Sequence, residues 1–206
     1  TTVDSVWVNK WPTASKTLFT IYGLRPEGFN GPLFEASVPR DSHFVSLWHH
    51  EELNLVSSAD KSYVPATVDG FSRSWLDTRR EGNIDCIALL PNLLNVKLDQ
   101  DSLRFEAKQG KRVVVWAGMP SYSCRFAEFS AGIRTISLRE HLGAHEEKFV
   151  VQLFDDTELL DERVVNVPLA TPRLISRVVQ TPLAPRIPAG MVEIPSGTFK
   201  FKTARS

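Results

Sequence analysis

The chain has 206 residues, with 24 lysines and arginines against 24 aspartates and glutamates, a formal net charge of zero, 42% hydrophobic and 23% charged residues. At roughly 100 to 200 residues per domain this is one large or two small domains, and the composition is that of a globular chain with a core rather than a disordered one. The neutral balance and the lack of a lysine and arginine stripe argue against a nucleic-acid partner, whose phosphates are held by clustered cations, and no apolar run approaches the roughly 20 residues of a membrane span.

In chain order, short runs rich in Val, Ile, Thr and aromatic residues alternate with Gly, Pro, Asn and Asp clusters, which is the pattern of strands and turns. Strands are expected over 5–8, 16–22, 31–37, 43–47, 63–68 and 84–89, then over 95–99, 102–107, 112–117, 124–129, 133–137, 149–155 and 158–167. No segment holds a helical apolar period for three turns, so the fold class is all-β, with two antiparallel β-sandwich modules. A boundary is expected near Asn92 to Val96, which gives a first module over 1–95 and a second over 96–168. In the second, an Asp-Gln-Asp-Ser turn and a Lys-Gln-Gly-Lys turn with Gly110 predict consecutive hairpins, and Asp155-Asp156-Thr157 predicts a third. About seven strands in that spacing suit an immunoglobulin-like sandwich, although the Cys, Trp, Cys order of antibody domains is absent. Pro168, Pro172, Pro182, Pro185 and Pro188 predict an extended linker, and MVEIPSGTFKFKT after it looks like the first hairpin of a further domain, so that 169–206 reads as linker plus the start of something longer.

Chemistry-bearing residues are sparse. Cys86 in IDCIALL and Cys124 in YSCRF lie within expected strands, which suits buried free thiols ahead of a disulfide or a ligating pair. Trp48-His49-His50-Glu51-Glu52 is the richest stretch in metal-ligand types, and His49 and His50 are the metal candidates. In an extended chain these two imidazoles face opposite ways, so the expected role is hydrogen bonding to neighbouring loops. His141 and His145, separated by Gly143, predict a solvated loop. Of the tryptophans, Trp116 is expected in the core, while Trp11, Trp48 and Trp75 are candidates for carbohydrate binding, since indole rings stack on the apolar faces of sugars. Trp7 shares that chemistry. Arg73, Asp77, Arg79, Arg80 and Glu81 suggest an ion-paired loop. No pair of carboxylates, serine elbow, phosphate-cradling glycine loop or cysteine–histidine arrangement points to catalysis, and no cofactor is expected.

Two resemblances add to this. Val6-Trp7-Val8-Asn9-Lys10, followed by Lys16-Thr17-Leu18-Phe19-Thr20-Ile21-Tyr22-Gly23 and Gly31-Pro32-Leu33-Phe34, resembles the opening strands of the β-domain that trails the catalytic barrel in many multidomain glycoside hydrolases, with Gly23 where an Asn is common. Met191-Val192-Glu193-Ile194-Pro195-Ser196-Gly197-Thr198-Phe199 resembles the first strand of the formylglycine-generating enzyme (sulfatase-modifying factor) fold, with Ser196 in place of a Gly. The catalytic cysteines of that family lie far downstream of this strand, so none of its functional residues carries over. The resemblances imply accessory, non-catalytic sandwich modules inside a larger, exported, carbohydrate-associated bacterial protein, with neighbouring domains of the same polypeptide and possible polysaccharide as partners.

Overall fold

A computed structural model describes residues 3–58, 60–71, 82–145, 147–167, 186–187, 189–192 and 197–198. Two compact units are present, one over Thr1–Leu169 and one over Ala170–Ser206. The first is all-β and antiparallel, with a single short helix among the described residues, and no helix is long and apolar enough to cross a membrane.

The first half contributes β1 (Val6–Pro12), β2 (Thr17–Gly23), β3 (Phe29–Glu35), β4 (Ser42–Ser46), β5 (Glu51–Leu53), β6 (Val56–Ser58), β7 (Lys61–Val68) and β8 (Asn83–Pro91). A five-stranded sheet in the order β1-β2-β8-β4-β5 faces a three-stranded sheet in the order β3-β7-β6. Pairing is nested, β2 with β8 and β3 with β7, as in a jelly roll. Alternation along each strand supplies the core: Phe19 and Ile21 from β2, Phe44 from β4 and Ile87 from β8 meet Leu33, Val64, Ala66 and Val68 from the smaller sheet. β5 and β6 are three residues each and largely exposed, too short and too polar for a period to show in the sequence.

The second half contributes β9 (Leu94–Asp99), β10 (Ser102–Ala107), β11 (Arg112–Ala117), β12 (Phe126–Ser130), β13 (Ile133–Ser137), the helix α1 (Leu138–Leu142), β14 (Lys148–Asp155) and β15 (Glu158–Asn166). One sheet runs β13-β10-β9 and the other β12-β11-β14-β15. Lettered A to G, strands A, B and E face C′, C, F and G, an immunoglobulin-like order with the fourth strand beside the third. The β9–β10 and β14–β15 hairpins form at the expected turns, with Gln100 and Asp156 at φ 52°. The expected hairpin at Gly110 does not form. The turn carries β11 across to the opposite sheet, where it pairs with β12 and β14, because only a crossing lets Val113 and Val115 close the core over Leu103 and Phe105. Phe105 meets Phe129 at 5.8 Å between ring centroids. Apolar packing stands where antibody domains place a disulfide; Cys86 and Cys124 are both free and half-buried.

The histidine-containing segment after β13 is not wholly a solvated loop. Leu138 and Leu142, four residues apart, share one helical face and are both buried. Ser137 caps the turn by accepting from the Glu140 N–H, and Asp101 accepts from the Ser137 hydroxyl and the Arg139 N–H. Gly143 at φ 79° ends the helix. One turn is too short to show a helical period.

Phe105 is fully buried at the centre of the second sandwich. Its truncation to Ala should destabilise the chain by roughly 3–5 kcal/mol through lost transfer energy and the cavity left behind, measured as a lower urea midpoint with an unchanged slope.

Candidate functional site

The two sandwiches meet along a seam built from the outward faces of two sheets. Val45, Ala88, Leu90, Val114 and Val150 are buried but belong to neither core. Alternation turns them away from the cores, to the sides of β4, β8, β11 and β14 that face the seam.

Across it runs a polar network centred on two adjacent, fully buried carboxylates of β15, Asp161 and Glu162. Asp161 lies beside the bulge that separates the Leu153 and Phe154 pairings of β14 and β15. Its Oδ2 accepts from the N–H groups of Leu93 and Leu94, at 2.8 and 2.7 Å, where the chain passes from β8 to β9. Its Oδ1 accepts from the Glu162 N–H at 2.7 Å and lies 3.3 Å from His43 Nε2. Burial pushes the Asp161 carboxyl up, against the pull of His43, the backbone N–H donors and Arg163. Glu162 holds His50 Nδ1 at 2.8 Å on one oxygen and Gln152 Nε2 at 2.7 Å on the other.

The remaining donors are as fully used. Arg163 donates to the Leu94 carbonyl, to Glu52 and to Asn92 Oδ1. That last bond identifies the Asn92 atom as oxygen, since guanidinium only donates. His43 Nδ1 lies 2.9 Å from the same oxygen and its Nε2 3.0 Å from the Glu162 carbonyl, so both ring nitrogens face acceptors. Lys148 donates to the His49 and His50 carbonyls, and Lys16 to Glu158 and the Leu159 carbonyl.

The metal candidates are placed by this network and do not converge. Residues 47–50 form a turn rather than a strand end, with His50 at φ 51°, and β5 starts only at Glu51. His50 points to Glu162, whereas His49 lies between Asp69, 3.3 Å from Nε2, and Asp85, 3.8 Å from Nδ1. Among the described residues no group of three or more His, Cys, Asp or Glu side chains is arranged to hold a metal ion. His141 is edge-on to Phe129, and His145 Nε2 lies 3.1 Å from the Lys148 carbonyl.

Around His49 sits a grouping that imitates a nucleophile and its base, with Ser46 Oγ 3.4 Å from Nδ1. Ser46 is buried, donates to Asp85 Oδ1 at 3.2 Å and accepts the His49 N–H at 3.0 Å, so its hydroxyl closes a turn instead of facing a substrate. Asp85 is buried too, and its Oδ2 has no hydrogen-bond partner among the described residues. Burial pushes the Asp85 carboxyl up, opposed by the Cys86 N–H, by His49 and by Ser46. Burial and the adjacent Asp85 push the Cys86 thiol up as well, which disfavours the reactive thiolate.

The tryptophans separate into distinct settings. Trp7 and Trp11 alternate outward on β1, 49% and 56% exposed. Trp7 stacks on Tyr22 at 6.0 Å, and register places Tyr22 opposite Ile84, so that Trp7, Tyr22 and Ile84 form one row across β1, β2 and β8. Trp11 donates its indole N–H to Thr20 Oγ1 at 2.9 Å. Trp48 is exposed in the 47–50 turn, away from that row in the chain. Trp116 is not in the core: it faces outward on β11, half-buried against Phe126 at 4.8 Å, with its N–H on Gln152. Trp75, the arginine-rich stretch around it, the prolines of the expected linker and most of MVEIPSGTF lie outside the described residues. The row Trp7, Tyr22, Ile84 was not singled out from the sequence; its signal was there in the alternation of β1, but pairing Tyr22 with Ile84 requires the register.

Because burial raises the Asp85 carboxyl in the folded chain, its contribution to stability is present while it is protonated and is lost as pH rises through the elevated folded value. Asp85→Asn removes that titration. In urea unfolding from about pH 4 to about pH 8, the stability of the wild type relative to Asp85→Asn should fall as pH rises; a flat or rising difference contradicts the assignment. No family model, curated protein or solved structure matches this chain.

Proposed function

We propose that the two sandwiches are a non-catalytic accessory unit that supports neighbouring domains of the same polypeptide in a carbohydrate-associated protein. The observation that carries this reading is the seam. A flexible pair of modules needs few contacts at its junction, whereas here Asp161 holds the connecting backbone and Glu162 holds His50 of the other sandwich. A spacer that fixes the separation of other domains requires such a junction, because the default for linked domains is relative motion. The turn-closing role of Ser46 and the raised Cys86 thiol support a non-catalytic role for the described residues.

The test has two arms. Residual dipolar couplings from both sandwiches should fit one alignment tensor, and the chain should not hydrolyse a panel of aryl glycosides and aryl esters. Two independent tensors, or turnover above buffer, overturns the proposal.

The outward row on β1, β2 and β8 favours a second reading, a carbohydrate-binding module. Trp7 and Trp11 lie four residues apart on one strand face, about 13 Å at the usual rise, with Asn9 and Thr20 between them to hydrogen-bond hydroxyls. Affinity electrophoresis across a polysaccharide panel should show retardation that Trp7→Ala and Trp11→Ala each weaken, while Trp48→Ala reports on the turn separately. Migration unchanged on every polysaccharide would remove this reading and leave the spacer role standing.

A further inference from the structure

The open side of the five-stranded sheet lacks charge. Val6 and Val8 pack on the core, so Trp7, Asn9 and Trp11 point to the open side of β1, and opposite them in register stand Tyr22, Thr20 and Leu18 of β2. None of the six carries a charge, and neither do the outward positions of β8 from Ile84 to Leu90. An antiparallel face turned to water is ordinarily polar, and the second sandwich follows that rule: of Asn95, Lys97, Asp99, Ser102, Arg104 and Glu106, the outward positions of β9 and β10, four are charged. Lys10 alternates to the core side of β1 and is not part of the open face. Lys16, at the turn from β1 to β2, is held by Glu158 at 3.2 Å.

The polar groups between the indoles have bonding capacity to spare. Asn9 is exposed, and its side-chain amide has no hydrogen-bond partner among the described residues. Thr20 is exposed too; its oxygen accepts the Trp11 indole N–H at 2.9 Å, which leaves the hydroxyl hydrogen to donate. The rings themselves are held in place. Trp7 stacks on Tyr22, and Tyr22 lies so close over Gly82 that a Cβ there would come within 2.6 Å of the ring. Trp11 is fixed by its bond to Thr20. Contact surfaces set in advance lower the ordering cost of binding.

We infer that this face binds an uncharged polysaccharide chain laid along β1, with sugar rings on Trp7 and Trp11 and the hydroxyls between them on Asn9 and Thr20. This ligand class rests on the carbohydrate-binding reading of the same face. The indoles stand about 13 Å apart along the strand, further than one sugar ring reaches, so a chain and not a monosaccharide bridges them. A sugar hydroxyl both donates and accepts, as the Asn9 amide does. The carboxylate of a uronic acid or a sulfate ester only accepts, and it would be desolvated against the indoles with no cation on the face to neutralise it, which is costly.

Affinity electrophoresis of the 206-residue chain on matched polymers tests this: hydroxyethylcellulose against carboxymethylcellulose, galactan against polygalacturonate, and dextran against dextran sulfate. Retardation should be stronger on the uncharged member of at least one pair and should stay the same from about 20 mM to about 500 mM salt, a range over which attraction between exposed charges is screened away. Trp7→Ala and Trp11→Ala should each weaken it roughly fivefold. A measurement on the wild type stands beside the variants: amide shifts on adding oligosaccharides of the retarding polymer should centre on β1 and β2. Salt-sensitive retention on the charged members overturns this assignment and leaves the carbohydrate-binding reading in place. No retardation on any polymer overturns both, and self-association that buries the indoles as concentration rises gives the face to a second copy of the chain instead.

Discussion

Two neighbouring carboxylates on β15 fix how the two sandwiches meet. Asp161 and Glu162 are buried with almost no exposure, and a lone buried carboxylate is strongly unfavourable unless donors surround it. Their donors come from both sandwiches and from the connection between them: the Leu93 and Leu94 N–H groups, His43 and His50 from the first module, and Gln152 from the second. Removing the first sandwich would take His43 from Asp161 and His50 from Glu162. The constraint runs the other way as well, because the 47–50 turn, closed within its own sandwich by Ser46, is also held by Lys148 and Glu162 of the second. Such buried ionic networks add little net stability compared with apolar packing, but they specify one arrangement.

That economy explains how the outward faces are divided. The five-stranded sheet has its outer side covered over Val45, Ala88 and Leu90 and open over Trp7, Tyr22 and Ile84. The first sandwich thus presents two chemically different surfaces, a sealed face toward its partner module and an open aromatic face. A module that only spaced other domains would need the first alone.

Much of the architecture was legible in the residues. Period-two alternation located thirteen of the strands within a few residues, because each has one face against a core, and the turns at Gln100 and Asp156 followed from the Asp, Ser and Thr clusters around them, turn-forming residues whose side chains bond nearby backbone. The failures share a cause. β5 and β6 are too short to show a period, α1 is a single turn whose two leucines look like loop residues, and the turn at Gly110 was assigned to a hairpin because a local turn carries no sign of which sheet the next strand joins. Trp116 was placed inside on its apolar neighbours, although Val115 beside it and Val113 two residues earlier claim the inward positions.

The sequence by itself determined the fold class, the presence of two sandwiches' worth of strands, and the absence of a recognisable catalytic motif, since these depend on composition, spacing and local period. Only the tertiary structure decided where Asp161, Glu162, His43 and His50 go. They are 112 to 119 residues apart in their cross-module pairs, and nothing local distinguishes a carboxylate that will be buried from one that will be solvated.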